Sequence, residues 1–412
     1  MGGAGRHIGT TERRARLTVR HRLGAGSRAA TPEDVAGSLV ALHGTDPATV
    51  YLAVGARLAD ADKTVAEVER ALYEDRTLVR MHGMRHTVFV FPTELAAVVH
   101  ASTGLVNAAK ARAALVKEVV TGSGGRLTAQ WLEEVEASVL AALARRGQAT
   151  VGELTRDEPR LKEQFVYGAG RSYEAPQTVS SRMMRVLGVD GLVVRGRPLG
   201  GWTSSQFRWA IAPPHPELPP AQAQQELLRR WLTACGPATE ADLKWWTGWR
   251  VTEVRRALTA MEAVPVTLDG GVTGYVTPGD EEPLSAVEPW AALLPGLDPT
   301  AMGWQDRDWY LAPELRPALF DRSGNVGPTV WWNGRVVGGW AQRPDGEVVW
   351  RLLDAEGLGR EAHEAIAREA ERLGSWLGTT RVTPRFRTPL EKELSAEGAS
   401  GRSGGAARAP GH

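Results

Sequence analysis

A short stretch of the chain, His43-Gly44-Thr45-Asp46, places an imidazole, a hydroxyl and a carboxylate within four residues. A neutral imidazole can accept a proton from water and a hydroxyl can orient that water, so His43 and Thr45 could together activate a nucleophile. A carboxylate such as Asp46 can stabilise a positive charge that develops beside it. The stretch is therefore a candidate active site, with Asp46 as a candidate accessory residue.

The sequence on either side predicts two helices that meet at this stretch. Thr31 is a suitable N-cap, the proline after it suits the first helical position, and Gly44 would end the first helix. Asp46 would cap the second helix, which then continues to Leu58. Helix capping alone would explain Gly44 and Asp46, so this structural interpretation stays open beside the catalytic one.

The surrounding elements follow an order typical of a winged helix-turn-helix domain. Helices are predicted at 12–23 and 64–74, and two short strands at 77–91 fold back about Gly83. Helices followed by a basic hairpin are the arrangement in which one helix and a wing contact a DNA duplex. We therefore expect a first winged-helix unit around the candidate site.

The same order returns twice, which predicts an internal repeat. GQATVGEL at 147–154 matches GPATEADL at 236–243, and in each the threonine is placed to cap a helix. In the second copy, 180–188 is a candidate recognition helix, and 192–198 with 202–209 a basic hairpin. In the third copy, a hairpin is predicted at 264–275. The chain is thus expected to carry three tandem winged-helix units.

After Trp290 the pattern changes to alternating apolar residues, typical of antiparallel strands. Asn333-Gly334 and Asp345-Gly346 are two-residue hairpin turns. We expect a small, barrel-like β domain, with strands at 293–304, 330–332, 335–340 and 347–353, a helix at 360–377 and a last strand at 381–386. The predicted fold class is α+β, divided into a disordered 1–10, winged-helix units at 11–120, 125–218 and 219–288, a β-rich domain at 289–390, and a disordered tail at 391–412.

Bulk properties exclude several classes of protein. The chain has 412 residues, a net charge of +1 and one cysteine, Cys235, so it can form neither an internal disulfide nor a cysteine-based zinc site. No apolar run is long enough to span a membrane, and a cytoplasmic, nucleoid-associated location is expected. His82 and His86 are four residues apart, but Gly83 favours a hairpin over a metal-binding helix. We expect no metal, no cofactor and a monomer.

Arginines and histidines on the predicted recognition helices and wings are the candidate phosphate contacts. Winged helices also serve as protein-binding modules, which is the alternative. The predicted DNA-binding residues are Arg20, Arg22, Arg80, His82, Arg85, His86, Arg182, Arg185, Arg195, Arg197, Arg255 and Arg256.

The sequence resembles the AlkZ-type winged-helix DNA glycosylases, a crosslink-repair group. The residues that carry the resemblance are Arg20-His-Arg-Leu23, 39–58, Arg85-His-Thr-Val-Phe89, 193–209 and the block from Leu293-Leu-Pro-Gly-Leu-Asp298 to Trp340. It implies monofunctional hydrolysis of the N-glycosidic bond of alkylated purines, including bulky antibiotic adducts and crosslinks. The family's catalytic motif is Gln-x-Gln or Gln-x-Asp, and the matching positions here carry His43 and Thr45.

Two functions are therefore considered. The first is a DNA glycosylase that uses His43 and Thr45. No lysine lies in the stretch around these residues, so no lyase step is expected. The second is a non-catalytic winged-helix DNA-binding protein, either a lesion sensor or a transcriptional regulator.

Overall fold

The computed structural model describes residues 6–284 and 287–396, and it has the mixed α+β fold expected from the sequence. Helices and small antiparallel sheets alternate along the whole of this part of the chain. Among its helices none combines the length and apolarity that crossing a membrane requires. Residues 1–5 and 397–412, which belong to the two predicted disordered ends, lie outside the described residues.

The first segment surrounds the candidate site. Its sheet has the order β1-β3-β2, and β2 and β3 form the hairpin predicted about Gly83. The helix predicted at 64–74 is α4 followed by a π-helical turn at Arg70–Glu74. The elements are α1 (Thr10–Arg20), α2 (Pro32–Leu39), β1 (Leu42–His43), α3 (Pro47–Gly55), α4 (Thr64–Glu69), β2 (Leu78–His82), β3 (Val88–Pro92), α5 (Ala96–Val99) and α6 (Leu105–Gly122).

The second and third segments contain the two repeated capping motifs. Thr150 caps a helix through a capping box with Glu153, and Thr239 does so with Asp242, as the repeat predicted. The second segment comprises α7 (Ala129–Arg146), β4 (Gln148–Ala149), α8 (Val151–Asp157), β5 (Gln164–Tyr167), β6 (Ala175–Thr178), α9 (Val179–Val189), β7 (Val193–Pro198) and β8 (Phe207–Ile211). The third comprises α10 (Pro220–Cys235), α11 (Glu240–Thr247), α12 (Val251–Ala260), β9 (Val264–Thr267) and β10 (Thr273–Val276).

The C-terminal segment is an open sheet, and the barrel-like prediction is wrong. Its four strands run in the order β11-β12-β13-β14, and none of the described sheets closes on itself. Helices cover this sheet, so its apolar face is buried without closure. The elements are β11 (Ala291–Leu294), α13 (Arg316–Leu319), β12 (Thr329–Trp332), β13 (Arg335–Gln342), β14 (Val348–Leu352), α14 (Arg360–Leu377) and α15 (Pro389–Ala396).

In the described C-terminal segment, one predicted strand is shorter than expected and another is absent, for identifiable reasons. The strand predicted at 293–304 stops at Leu294, because Leu297 takes a positive φ of 62° and turns the chain. No strand forms at 381–386, where side chains satisfy the backbone. The Gln342 side chain accepts from Val382 N at 2.8 Å, and the Asp46 carboxylate accepts from Arg385 N at 2.9 Å.

Parts of both predicted disordered ends are ordered. Ile8 is fully buried, and its backbone N–H donates to the carbonyl oxygen of Thr267 at 2.9 Å, beside β9. At the other end, α15 buries Leu394 and Glu391. These stretches contain few apolar residues, but single ones pack against residues far away in sequence. Amino-acid composition alone does not predict such contacts.

The main hydrophobic core joins residues from distant parts of the chain. Leu17 and Phe91 from the first segment pack in the same cluster as Trp231 from the third and Trp331 from the C-terminal sheet. The second segment packs in a separate core, to which Leu115 and Val119 of α6 also contribute. The candidate site therefore rests on a framework to which three segments contribute.

Candidate nucleic-acid interface and active site

His43 lies on a strand, and the predicted helix-to-helix corner is wrong. α2 ends at Leu39, where Val40 takes a positive φ of 65°. His43 then pairs with Phe89 of β3, and Gly44 donates its N–H to Val88 O at 2.8 Å. Gly44 thus extends the sheet and caps no helix. The helix therefore stops after Leu39, and Leu42 and His43 take the sheet hydrogen bonds that β3 offers instead of continuing the helical spacing.

Burial keeps the His43 imidazole neutral. The ring packs edge-on against Phe89 with 5.3 Å between centroids, and its Nδ1 is enclosed without a hydrogen-bond partner among the described residues. Burial, together with the positive charge of Arg85, lowers the pKa of His43 to about 4. A neutral ring at physiological pH retains one lone pair, so His43 is in the form that a general base needs.

A small pocket opens beside His43. It measures about 20 Å³ and is bordered by His43, Arg85, Phe89 and Trp246. This volume holds one water molecule and no purine. Arg85 is fixed there, because its guanidinium lies 4.2 Å from the centre of the Trp245 ring. The pocket thus combines a neutral base, space for water and a held positive charge.

Asp46 is a structural residue in this arrangement. Its Oδ1 accepts from Ala48 N at 3.1 Å as the N-cap of α3, and its Oδ2 accepts from Arg385 N at 2.9 Å. The Arg385 guanidinium also donates to the Thr45 carbonyl oxygen, at 3.4 Å. Both carboxylate oxygens are therefore committed to backbone amides. This geometry gives Asp46 a positioning role, in which it and Arg385 hold the backbone around Thr45, and its accessory role in catalysis stays a prediction.

A buried ion pair anchors the far end of α3. Arg57 and Asp298 are both fully buried, with Nη2 and Oδ1 at 2.7 Å and Nη1 and Oδ2 at 2.9 Å. Arg57 also donates to the carbonyl oxygens of His21 and Ala53 and to the hydroxyl of Thr300, so all five of its N–H groups are used. This network connects α3, the helix that follows the stretch from His43 to Asp46, to α1 and to the loop after β11.

A sequence model of AlkZ-like DNA glycosylases matches residues 36–376, which include His43, Thr45 and Asp46 but not Arg385. The chain belongs to the AlkZ-like DNA glycosylase family. The interstrand DNA cross-link repair glycosylase of Streptomyces sahachiroi is 30% identical over 175 residues, which cover 40% of this chain and 46% of that relative. The solved structure of Streptomyces sahachiroi DNA glycosylase AlkZ matches with a TM-score of 0.69 at 23% identity, over 92% of this chain and 99% of that chain. The resemblance inferred from sequence is thus confirmed, and the structural match shows a shared fold.

In this AlkZ-like chain, four of the predicted DNA-binding residues meet where the first two segments touch. Burial and the charges of Arg195, Arg185 and His86 lower the pKa of His82 to about 4. Burial, Arg185 and Lys110 lower the pKa of His86. The side chains of His82, His86, Arg185 and Arg195 are therefore close enough for their charges to influence one another. His82 is buried, as is Arg80, so neither occupies the exposed wing tip that the sequence suggested.

The other predicted DNA-binding residues are engaged by the protein itself or lie apart. Arg182 pairs with Glu118, Arg197 with Glu69 and Glu74, and Arg255 with Glu240. Arg20 donates to Gly236 O and Asp280, Arg22 to Ser27 O, and Arg256 to Gln224. These residues connect elements of the fold, and the structure does not gather them into one surface.

Sequence reasoning missed three residues that shape the site. Arg385 and Trp245 gave no signal, because their roles depend on contacts with residues more than a hundred positions away. Arg57 gave one, since it is a charged residue inside the apolar run Leu52-Ala-Val-Gly-Ala-Arg-Leu58. A buried arginine demands a carboxylate, and Asp298 supplies it. Among the described residues, no group of three or more His, Cys, Asp or Glu is placed to hold a metal.

We expect the stability of the protein to fall in mild acid because of its buried histidines. Burial and Arg57 lower the pKa of His21 to about 3, and His43 and His82 lie at about 4, against 6.5 for an ordinary histidine. Between these values the unfolded chain binds protons that the folded chain does not. Stability is therefore complete above about pH 6.5 and is lost as pH falls, by up to about 1.4 kcal/mol per pH unit for each such group.

Urea unfolding at several values from about pH 7 to about pH 5 measures this slope. His21→Asn should make the dependence on pH shallower, whatever its effect on stability at neutral pH. His363→Gln changes an exposed histidine of α14 and serves as the control. An unchanged slope in the His21 variant would contradict the assignment.

Proposed function

We propose that this protein is a monofunctional DNA glycosylase that hydrolyses the N-glycosidic bond of alkylated purines in duplex DNA. The observation that carries the proposal is a neutral histidine, beside a water-sized pocket, at the position of the family's catalytic motif. Family membership over residues 36–376 supports the reaction class. DNA crosslinks are the substrate suggested by the name of the Streptomyces sahachiroi relative, and bulky adducts are the substrate suggested by the sequence resemblance.

The proposed chemistry requires little from the protein. A purine alkylated at N7 or N3 already carries a positive charge, so it leaves without protonation by an acid. His43 accepts the proton of the attacking water. Thr45, which is proposed to orient that water, is held through its carbonyl oxygen by Arg385 and does not border the pocket. The pocket is too small for the purine, so the sugar meets the water at the mouth of the pocket. No lysine lies in the stretch from His43 to Pro47, so an imine with the sugar has no amine to form from.

Release of 7-methylguanine from methylated duplex DNA, measured by chromatography, tests the reaction. Heating or alkali should be needed to break the strand afterwards, because the enzyme leaves an intact abasic site. Strand cleavage without that treatment would contradict the monofunctional assignment. Tight binding without release of any alkylated base would instead favour the non-catalytic DNA-binding protein, which the replacement of Gln-x-Gln or Gln-x-Asp by His43 and Thr45 keeps as the second candidate.

We propose that duplex DNA is bound by the repeated units as tandem winged helices, with a monomer sufficient for binding. Arg185 on α9 is exposed, as is Lys110 on α6, and a cavity of about 280 Å³ separates them. Neither has a carboxylate within ion-pair distance among the described residues. Their positive charges are thus available for the phosphate backbone.

The double variant Arg185→Ala, Lys110→Ala should bind duplex DNA more weakly, irrespective of its sequence. If each residue contacts one phosphate, the slope of log affinity against log salt should decrease in magnitude by about 1.8. Fluorescence anisotropy with a labelled duplex at several NaCl concentrations measures both. The control is Arg360→Ala, an exposed arginine on α14. A slope equal to that of the wild type would remove this pair from the interface.

A further inference from the structure

A second basic site lies apart from the His43 pocket. A cavity of about 590 Å³ separates the first segment from the second. Tyr73, Arg76 and Arg80 line it on one side, and Arg146, Arg195 and Arg197 line it on the other. We call it the arginine cavity. The reaction proposed above uses none of these residues.

The acids around the arginine cavity neutralise only part of its charge. Arg146 pairs with Asp157, and Arg197 pairs with both Glu69 and Glu74. Within the described residues, Arg76, Arg80 and Arg195 have no carboxylate at ion-pair distance. Three guanidinium groups therefore face one cavity without counter-charges from the protein.

Several donors at this cavity also have no hydrogen-bond partner. Arg80 is only 4% exposed, and both its Nε and its Nη2 are enclosed without a partner among the described residues. The same holds for Arg195 Nε. Buried donors are almost always satisfied in folded proteins, so these arginine donors beside a cavity call for water or a ligand that accepts hydrogen bonds.

The arginines are held in place and repel one another. The Arg195 guanidinium lies 4.5 Å from the centre of the Phe207 ring and 5.6 Å from that of Trp209, which restricts its motion. Burial, with the charges of Arg80 and Arg385, lowers the pKa of Arg195 to about 10, so it stays protonated at neutral pH. An anion in the cavity would relieve this repulsion.

We propose that the arginine cavity is a phosphate-binding site, filled by a phosphodiester of a DNA strand or by the phosphate of a free nucleotide. Guanidinium groups donate paired, fixed hydrogen bonds that match the several oxygens of a phosphate. Arg385 supports the DNA source, because it contacts Thr45 and also acts on the charge of Arg195. In its DNA form, the inference rests on the proposed function and deepens it. In this arrangement, a DNA strand bound at the stretch from His43 to Asp46 extends into the arginine cavity.

The test uses Arg195→Gln and Arg80→Gln, with Arg76→Gln as an exposed variant that is expected to fold normally. Arg360→Gln is the matched control, since that side chain is 91% exposed on α14. Circular dichroism checks folding. One arm measures the affinity of unmodified duplex DNA against salt. The other measures thermal stabilisation by inorganic phosphate and by deoxyadenosine monophosphate.

If a DNA phosphate fills the cavity, each cavity variant should lower the magnitude of the salt slope, by no more than about 0.9 for a single phosphate, and Arg360→Gln should not. If a free nucleotide fills it, the wild type should be stabilised by the small ligands and the cavity variants should not. No effect in either arm for correctly folded variants would overturn the inference. Because unmodified DNA is used, that failure is independent of base release, which tests the proposed function.

Discussion

His43→Ala should release 7-methylguanine from duplex DNA about 100- to 10,000-fold more slowly than the wild type, the range that general-base catalysis contributes. The imidazole lies beside a pocket with room for one water molecule, and burial keeps it neutral. His21 also borders the pocket, but its two ring nitrogens are engaged by Thr300 and Cys235. DNA affinity should change little, because the ring is enclosed and uncharged. Single-turnover release of the base is the measurement, with anisotropy on the same duplex alongside.

The pH dependence separates this role from a structural one. With a pKa of about 4, the wild type should lose activity only as pH falls through that value, after correction for spontaneous depurination. His43→Gln carries the residue that the family motif has at this position and should retain more activity than His43→Ala. Its activity should no longer fall as pH passes through the pKa of His43. Equal release by the wild type and His43→Ala would remove His43 from the mechanism.

Asp298→Ala should destabilise the protein by about 3–5 kcal/mol, the cost of leaving a buried charge without its partner. Arg57 is fully buried and donates five hydrogen bonds, two of them to Asp298. The free energy of unfolding in urea, followed by tryptophan fluorescence, reports on this region because Trp304 stacks on His21 at 5.7 Å. Base release should fall as well, since the network anchors α3 directly after the catalytic stretch.

Two comparisons sharpen this prediction. Asp308→Ala breaks a surface pair with Arg316, in which both side chains are well exposed, and should cost no more than about 1 kcal/mol. The double variant Arg57→Met, Asp298→Leu removes both charges and should be more stable than Asp298→Ala. If Asp298→Ala and Asp308→Ala lost the same free energy, the buried pair would have no special role.

The caps and hairpins of this protein were predictable because they depend on neighbouring residues. Thr150 with Glu153 and Thr239 with Asp242 form capping boxes within four residues, and the hairpin about Gly83 follows from alternating apolar positions. Local hydrogen bonds of this kind need no knowledge of the tertiary fold. The α+β class and the family resemblance followed from the same local patterns.

The stretch from His43 to Asp46 was given the wrong conformation by sequence, and its catalytic role stays a prediction. The spacing of Leu39 and Leu42 predicted one continuous helix, whereas the chain leaves the helix after Leu39 and pairs with β3, more than forty residues later. Tertiary hydrogen bonding overrides helical propensity when a neighbouring strand offers partners. The position of His43 in the sequence was therefore informative, whereas its placement on a sheet was not predictable.

By itself, the sequence determined the helix caps, the hairpins, the repeated motif and the presence at position 43 of a histidine, a residue type that can act as a base. Only the tertiary structure decided that His43 is neutral, because burial and the nearby charge of Arg85 set its pKa. It also decided that Asp46 binds the backbone of Arg385, and that Arg80 and Arg195 face one cavity. The physical reason is the range of the interactions. Caps and turns are satisfied within a few residues, whereas burial, charge clustering and cavities depend on segments hundreds of residues apart.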